Sequence, residues 1–366
     1  PLSMGAPMAI PHIACNTRCP SAVDLMPMIE DSLAPSPTSP LNDAEQSRLV
    51  ADIDAALPRV HRYAPATPLL RVPSLDSMIG GQVLLKAECA QATGSFKIRG
   101  ALNVMTQLSS KGVDRVIAFS SGNHGIGVAY AARCLGMSAQ IVVPDDAPAA
   151  KIDRIRRLGG ELVWYDRMSE DREQVAMTLQ SERPAPLVKP YDSWDTIAGQ
   201  GTCGAEVVRQ VQTPIDAALI CTGGGGLAAG VGTYLKSHCL DTRIFTAEPE
   251  GWHDHQLSFQ RGERVEAPGN GARWCDGLLA PTPGELTFSI NQTNRAEGLC
   301  VTSEWVAKAM KIAWQHLGLR LEPSGAVALG ALLERPELFL GQHILVTLTG
   351  GNVDEHRFSE CLALAR

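Results

Sequence analysis

A lysine stands in a turn of small residues in the segment Thr93-Gly94-Ser95-Phe96-Lys97-Ile98-Arg99-Gly100, where the sequence predicts a helix over Phe96–Leu108. The positive end of a helix disfavours a cation, so an amine at this position is expected to have a lowered pKa. Such a lysine can form a Schiff base with a carbonyl group. Taken alone, the segment also fits an ordinary surface lysine on a first helical turn.

A second polar turn follows a predicted strand, Val113–Phe119, and opens a predicted helix, Gly125–Leu135. It reads Ser120-Ser121-Gly122-Asn123-His124-Gly125. Hydroxyl groups, an amide and free backbone N–H groups at a helix start can bind an anion. The same residues would also serve as a plain turn with a capping serine.

Glycines dominate a third turn, Thr222-Gly223-Gly224-Gly225-Gly226-Leu227, which follows the apolar strand Ala217–Cys221. Four glycines let the backbone wrap closely round a phosphate. No Lys-Ser/Thr pair follows, so a nucleotide P-loop is excluded. A fourth turn, Thr349-Gly350-Gly351-Asn352, follows the strand Ile344–Leu348. Its hydroxyl at a strand's carboxyl end can meet a ring nitrogen, although the turn alone is unremarkable.

Between these turns, strands and helices alternate, which predicts an α/β fold with parallel sheets. The chain has 366 residues, of which 45% are hydrophobic, enough for two domains. We expect an N-terminal extension, partly disordered, over residues 1–41. Residues 42–112 and 191–366 are assigned to a large domain, and residues 113–190 to a small mobile domain.

Composition excludes several other classes. The net charge is −7 and no basic run occurs, so we expect no nucleic-acid partner. No apolar run is long enough to cross a membrane, and the N-terminus lacks the pattern of a secretory signal. The ten cysteines are dispersed, which is typical of reduced thiols in a cytoplasmic protein. The first β–α turn lacks the GxGxxG motif of a nicotinamide dehydrogenase.

The four turns, in this order, resemble the serine/threonine dehydratase and serine racemase family of fold-type II, tryptophan synthase β-like enzymes that use pyridoxal 5′-phosphate (PLP). The resemblance runs from about Val60 to Asn352 and includes Ile197-Ala198-Gly199-Gln200-Gly201-Thr202 and Glu322-Pro323-Ser324-Gly325-Ala326. It implies two domains, each with a mostly parallel central sheet flanked by helices, and a homodimer.

The resemblance also implies a role for each cofactor-binding residue. Lys97 would form the Schiff base with PLP and Phe96 would pack beside the ring, while Asn123 would bond the 3′ oxygen. The phosphate would be held by the backbone of Gly223, Gly224, Gly225, Gly226 and Leu227. Thr349 would face the pyridine nitrogen, where the family usually has Ser or Cys.

Substrate contacts follow from the same resemblance. Four residues match the loop that holds the substrate α-carboxylate: Ser120, Ser121, Asn123 and His124. Arg172 matches an arginine that meets substrate carboxylates in racemase-like members, although a solvated surface arginine is an equal alternative. The segment Lys189–Asp195 departs from the family, and its Trp194 would line a larger substrate pocket or pack in the core.

A metal site is implied by Glu248 and Asp254, which with the intervening backbone carbonyl of Trp252 match the family's loop for Mg²⁺ or Ca²⁺. Oxygen donors suit such hard cations. The two residues would otherwise be surface acids in a loop. His253 and His255 are expected to be bystanders.

The implied reaction is PLP-dependent α,β-elimination of a β-hydroxy amino acid to a 2-oxo acid and ammonia, with Lys97 as the base at Cα. Ser121 matches the second base of serine racemases, so racemisation is expected as a side reaction. The alternatives are a racemase, or a dehydratase for 3-hydroxyaspartate or β-phenylserine. A non-catalytic binding protein on the same fold would have lost the lysine or the glycine turn, and both are present.

Overall fold

The computed structural model describes residues 39–147, 149–271 and 273–365. In those ranges the strands, numbered β1 to β9, are Leu69–Leu70, Gln82–Lys86, Arg115–Phe119, Ser138–Pro144, Glu161–Tyr165, Ala217–Cys221, Arg243–Pro249, Glu297–Val301 and His343–Thr347. The α-helices, numbered α1 to α13, are Asp43–His61, Pro73–Ile79, Lys97–Ser110, Asn123–Leu135, Ala149–Arg157, Arg172–Glu182, Trp194–Gln210, Gly226–His238, Asp254–Arg261, Glu285–Thr293, Ser303–Leu317, Pro323–Glu334 and Glu355–Leu364.

The larger sheet has six strands in the order β1-β2-β9-β6-β7-β8, and only β1 runs antiparallel to its neighbour. Its central strand β6 is buried along its whole length because helices cover both faces of the sheet. One face packs against α11 and α12, and the other against α7 and α8. Continuous apolar strands of this kind are typical of parallel sheets between two helical layers.

The smaller sheet consists of β3, β4 and β5, all parallel. Apolar residues of α3 and α4 pack on one of its faces, so Ile98 and Leu102 share a core cluster with Val116 and Ile141. Ala176 of α6 packs on the other face. The helix that begins at Lys97 is thus held against the smaller sheet. The predicted α/β architecture with two mostly parallel sheets is observed, while the domain boundaries stay a prediction.

Most of the predicted elements occur close to their predicted bounds. β5, β6 and α11 have the bounds that the sequence predicts. The prediction of a helix over only Gly204–Gln210 was wrong, because α7 begins ten residues earlier at Trp194. Its glycines are packing positions: a Cβ on Gly199 would lie 2.6 Å from the Arg99 carbonyl oxygen, so helix α7 approaches the backbone of α3 closely.

The predicted N-terminal extension lies mostly outside the described residues. Its end is ordered by contacts with the rest of the chain. Leu41 is buried, and its N–H donates to Thr293 Oγ1 at 2.7 Å. Asn42 and Glu45 then form a reciprocal capping box at the start of α1. None of the helices in the described ranges has the length and apolar character of a membrane span.

Candidate active site

Lys97 is the first residue of α3, and its side chain points into a cavity of about 500 Å³. Residues that follow the carboxyl ends of β3, β6 and β9 line this cavity, which is where open parallel sheets bind ligands. The Lys97 Nζ donates to the Pro190 carbonyl oxygen at 2.9 Å, and in the described ranges no carboxylate pairs with it. Burial lowers the pKa of this amine to about 8. Lys97 therefore has the character of a nucleophile rather than that of a surface lysine.

Two aromatic rings flank the lysine. The Nζ lies 5.0 Å from the centre of the Phe96 ring and 5.9 Å from that of Tyr191. The Phe96 N–H donates to the Thr349 carbonyl oxygen at 3.1 Å, and Ser95 bridges to Gly350. The lysine turn and the turn after β9 are thus held together, which brings the Thr349 predicted to face a ring nitrogen into the wall of the lysine cavity.

Arg99 anchors the first turn of α3 through buried ion pairs. Its guanidinium is completely buried and donates to Glu88 at 2.6 and 2.7 Å and to Glu206 at 2.6 and 2.8 Å. Lys86 also donates to Glu206, at 2.7 Å. Burial opposes ionisation of Glu206, but the hydrogen bonds and charges of Arg99 and Lys86 outweigh it and lower the pKa to about 2.

Three of the four glycines in the turn have no room for a side chain. A Cβ on Gly225 would lie 2.5 Å from His255 Nε2, one on Gly226 would lie 2.5 Å from Gln200 Oε1, and one on Gly224 would overlap the Tyr191 ring. Gly225 has a φ of 93°, a conformation that favours glycine. Gly226 and Leu227 begin α8, whose first N–H groups have no partner within the helix. The turn thus fits the phosphate of PLP.

The Ser120–His124 turn lines the cavity at the start of α4, whose first N–H groups have no partner within the helix and are suited to a carboxylate. Ser120 Oγ accepts from the Gly122 N–H at 3.1 Å, and Ser121 lines the same cavity as Lys97. His124 Nε2 lies 2.8 Å from the Val188 carbonyl oxygen. Burial, and next the Lys97 charge, lower the pKa of His124 to about 3, so its ring is neutral and engaged with the backbone.

Asn123 is held by two polar side chains. Its Nδ2 donates to Glu322 Oε1 at 2.5 Å, and its Oδ1 accepts from Asn352 Nδ2 at 2.6 Å. The second N–H of the Asn123 amide is left for the 3′ oxygen of PLP, the partner that the resemblance implies. Burial raises the pKa of Glu322 to about 7, with Lys151 opposing that rise. The sequence contains Glu322 in a recognised motif but does not show this contact.

Several cations line the same cavity as Lys97. Arg172 begins α6, its guanidinium lies 5.1 Å from the centre of the Phe119 ring, and within the described ranges it has no carboxylate partner. Lys151, Arg167 and Arg273 line the same space. Lys151 pairs with Asp276, and Arg167 pairs with Asp146 at 2.9 Å. Arg172 and Arg273 add positive charge to this cavity, in which Asp276 and Glu322 are the acidic lining residues. Trp194, by contrast, packs beside α1 and donates to Asp52 at 2.7 Å.

A second cluster lies behind the glycine turn. Glu248 is the penultimate residue of β7, Asp254 begins α9 and His255 follows it; all three side chains are completely buried. Their ligand atoms all lie within 4.8 Å of one another. Both Asp254 carboxylate oxygens are buried without a hydrogen-bond partner among the described residues, which fits a divalent cation. His255, which the sequence analysis expects to be a bystander, lies against both carboxylates, with its Nδ1 3.3 Å from Glu248 and 3.5 Å from Asp254.

Comparison with known proteins decides the family. The family model described as pyridoxal-phosphate dependent enzyme matches residues 61–350. The chain belongs to the pyridoxal-phosphate dependent enzymes. It is 38% identical over 85% of its length to an L-threo-3-hydroxyaspartate ammonia-lyase from a Pseudomonas species, covering 97% of that protein. It is 37% identical to a serine racemase from Oryza sativa subsp. indica, covering 85% of this chain and 94% of the relative.

Solved structures of the family have the same fold. The processed form of threonine deaminase isoform 2 from Solanum lycopersicum superposes with a TM-score of 0.83 at 33% identity, covering 90% of this chain and 96% of that one. The predictions of a fold-type II architecture and of PLP as the cofactor are therefore confirmed for this PLP-dependent enzyme.

Proposed function

We infer that this PLP-dependent enzyme eliminates water from 3-hydroxyaspartate, releasing ammonia and a 2-oxo dicarboxylic acid. The observation that carries the substrate assignment is Arg172, a cation without a carboxylate partner in the described ranges that faces the same cavity as Lys97. Serine and threonine have no second carboxylate to offer it. The Pseudomonas relative, named for L-threo-3-hydroxyaspartate, supports the same substrate.

The residues of the cavity have separate roles in binding and in proton transfer. The N–H groups of the glycine turn hold the phosphate, and those of the Ser120–His124 turn hold the substrate α-carboxylate. When bound, PLP supplies an electron sink for the charge that develops at Cα. Lys97, whose lowered pKa makes the free amine accessible near neutrality, takes the proton from Cα. The hydroxyl group of Thr349, which lines the same cavity, would face the pyridine nitrogen of bound PLP.

Arg172 holds the side-chain carboxylate of the substrate in this scheme. A guanidinium can bind a carboxylate through two parallel hydrogen bonds. Each charge-assisted bond contributes about 1.5–3 kcal/mol, so losing both lowers kcat/KM by on the order of 100-fold or more. We expect Arg172→Gln to show this loss with 3-hydroxyaspartate but to change serine dehydration little. Arg172→Lys keeps the charge but loses the fork geometry, so its kcat/KM for 3-hydroxyaspartate should lie between those of the wild type and Arg172→Gln.

The test is keto-acid release from a panel of β-hydroxy amino acids, with Arg183→Gln as the control because Arg183 lies at the other end of helix α6. Equal losses on serine and on 3-hydroxyaspartate would show that Arg172 acts only on structure. A wild-type enzyme that dehydrates serine and not 3-hydroxyaspartate would overturn the substrate assignment while leaving elimination intact.

Racemisation is the second candidate, because Ser121 lies in the same cavity as Lys97 and can exchange a proton at Cα. Its test is to supply one enantiomer and to measure the 2-oxo acid and the mirror-image amino acid together. Elimination as the main reaction predicts an excess of 2-oxo acid. An excess of the mirror-image amino acid would identify a racemase.

The same inference includes the domain motion, the oligomeric state, the compartment and the bound cation of the enzyme. Residues 113–190 form a small mobile domain that closes over the substrate and excludes water. The functional unit is a homodimer in the cytoplasm, and a divalent cation is held by Glu248, Asp254 and the Trp252 carbonyl. The unpaired state of the eight cysteines in the described residues supports a reducing compartment.

A further inference from the structure

The buried cluster behind the glycine turn differs in chemistry from a site made of oxygen atoms alone. Glu248 accepts the N–H groups of His255 and Gln256 at 2.8 and 2.9 Å, which fixes its carboxylate at the start of α9. Asp254 adds a second carboxylate, and neither of its oxygens has a partner in the described ranges. Two negative groups at this depth need a positive charge, since an uncompensated buried carboxylate is strongly disfavoured, and either a protonated His255 or a bound cation supplies it.

His255 provides a third ligand atom from a side chain that is completely buried. Its Nδ1 is 3.3 Å from Glu248 Oε1 and 3.5 Å from Asp254 Oδ2, separations that let one ion contact all three groups. Neither ring nitrogen has a hydrogen-bond partner among the residues that the structure describes. Ligation uses the neutral imidazole, so an arriving cation displaces any proton on Nδ1.

We propose that His255 is a nitrogen ligand of the divalent cation, so that the site prefers Mn²⁺ to Mg²⁺ or Ca²⁺. Carboxylate oxygens suit all three ions, but an added imidazole nitrogen favours a first-row transition metal over Mg²⁺ or Ca²⁺, and Mn²⁺ is the member of that series that carboxylates also suit. The assignment concerns the protein without substrate and does not depend on which hydroxy amino acid the enzyme uses.

The other edge of the same ring touches the phosphate turn. The Nε2 lies 2.5 Å from the position that a Cβ on Gly225 would occupy, and Thr287 Oγ1 and Asn291 Nδ2 lie 3.0 and 3.1 Å from that position. His255 thus stands between the cation cluster and the backbone predicted to hold the PLP phosphate. A cation bound to Nδ1 holds the His255 ring in place, and with it the Nε2 edge that packs against Gly225. Cation binding is therefore expected to slow the loss of PLP.

Pulsed electron paramagnetic resonance of the holoenzyme with Mn²⁺ tests the ligand directly. Wild-type protein should bind Mn²⁺ more tightly than Mg²⁺ in competition, and the bound ion should show modulation from an imidazole nitrogen. The variant His255→Gln should lose that modulation. Removing even an outer-shell partner of a metal site typically costs 10–100-fold in affinity, so Mn²⁺ binding should weaken by at least about tenfold.

The variant His253→Gln is the matched control, because His253 lies two residues before His255 and precedes α9 as its N-cap residue. It should keep both the Mn²⁺ affinity and the nitrogen modulation. Circular dichroism and thermal melting in the presence of a chelator establish that His255→Gln is folded. If that variant fails to fold, wild-type protein labelled with ¹⁵N-histidine replaces it: the modulation should change from the ¹⁴N to the ¹⁵N pattern.

The coupling to the phosphate turn has its own readout. The rate of PLP loss to a scavenger should fall when Mn²⁺ is added to wild-type enzyme and should not respond in His255→Gln. Any of four results would overturn the proposal. These are Mn²⁺ that binds without nitrogen modulation, modulation that survives in His255→Gln, Mg²⁺ that binds more tightly than Mn²⁺, and holoenzyme that binds no Mn²⁺. None of these outcomes bears on the substrate assignment.

Discussion

Gly225→Ala tests the phosphate turn through a single methyl group. Gly225 has a φ of 93°, and a left-handed conformation costs a residue with a Cβ roughly 1–2 kcal/mol. The new Cβ would also lie 2.5 Å from His255 Nε2, and overpacking of this kind typically costs about 1–3 kcal/mol. Together these effects amount to about 2–5 kcal/mol. If this free-energy cost destabilises the conformation of the turn that binds PLP, the affinity for PLP drops by at least roughly 30-fold.

The assay is a titration of apoenzyme with PLP, followed by absorbance, with thermal melting of the same samples. Gly262→Ala is the matched control, because Gly262 has a φ of 76° but no atom within 4 Å of the place that its new methyl group would occupy. It should lose some stability and keep the wild-type affinity for PLP. The role of the phosphate turn is refuted if Gly225→Ala binds PLP as tightly as Gly262→Ala does.

Two further predictions concern the lysine turn. The rate at which apoenzyme captures PLP should rise about tenfold per pH unit up to pH 8 and then level off, because only the neutral Lys97 amine attacks and its pKa is lowered to about 8. Stopped-flow absorbance measures this rate at each pH. A rate that continues to rise up to pH 10 would contradict the lowered pKa. Arg99→Leu should destabilise the protein by about 3–5 kcal/mol in urea unfolding, because it removes the buried guanidinium that pairs with Glu88 and leaves Glu206 without one of its cations, with Lys86 still in place. The exposed pair Arg243–Glu297 provides the control, and Arg243→Leu should cost less than about 1 kcal/mol; equal costs for the two variants would show that burial of the network is unimportant.

The sequence predicts the parts of the site that depend on local order. Strand β6 is apolar along its whole length and glycines follow it, so both the buried strand and the turn at its carboxyl end can be predicted from adjacent residues. The same holds for Lys97, which lies next to small residues at a helix start. Such features depend on patterns a few residues long.

Contacts between distant residues cannot be predicted in this way. Glu322 reaches Asn123 across 199 positions, and Arg99 reaches Glu206 across 107, so no local pattern indicates either pair. The length of α7 escapes prediction because Gly199 and Gly201 discourage a helix locally, whereas tertiary packing requires small residues there. The expectation for His255 rests on the preference of hard cations for oxygen, and only the folded positions of Glu248 and Asp254 show that its ring faces them.

The central claim is that Lys97 carries PLP in the active enzyme. Borohydride reduction of holoenzyme, followed by proteolysis and mass spectrometry, tests it most directly. We expect a stable phosphopyridoxyl group on the peptide that contains Lys97 and on no other lysine peptide, with loss of activity in proportion to labelling. An unmodified Lys97 in enzyme that was active before reduction, or the label on another lysine, would contradict it.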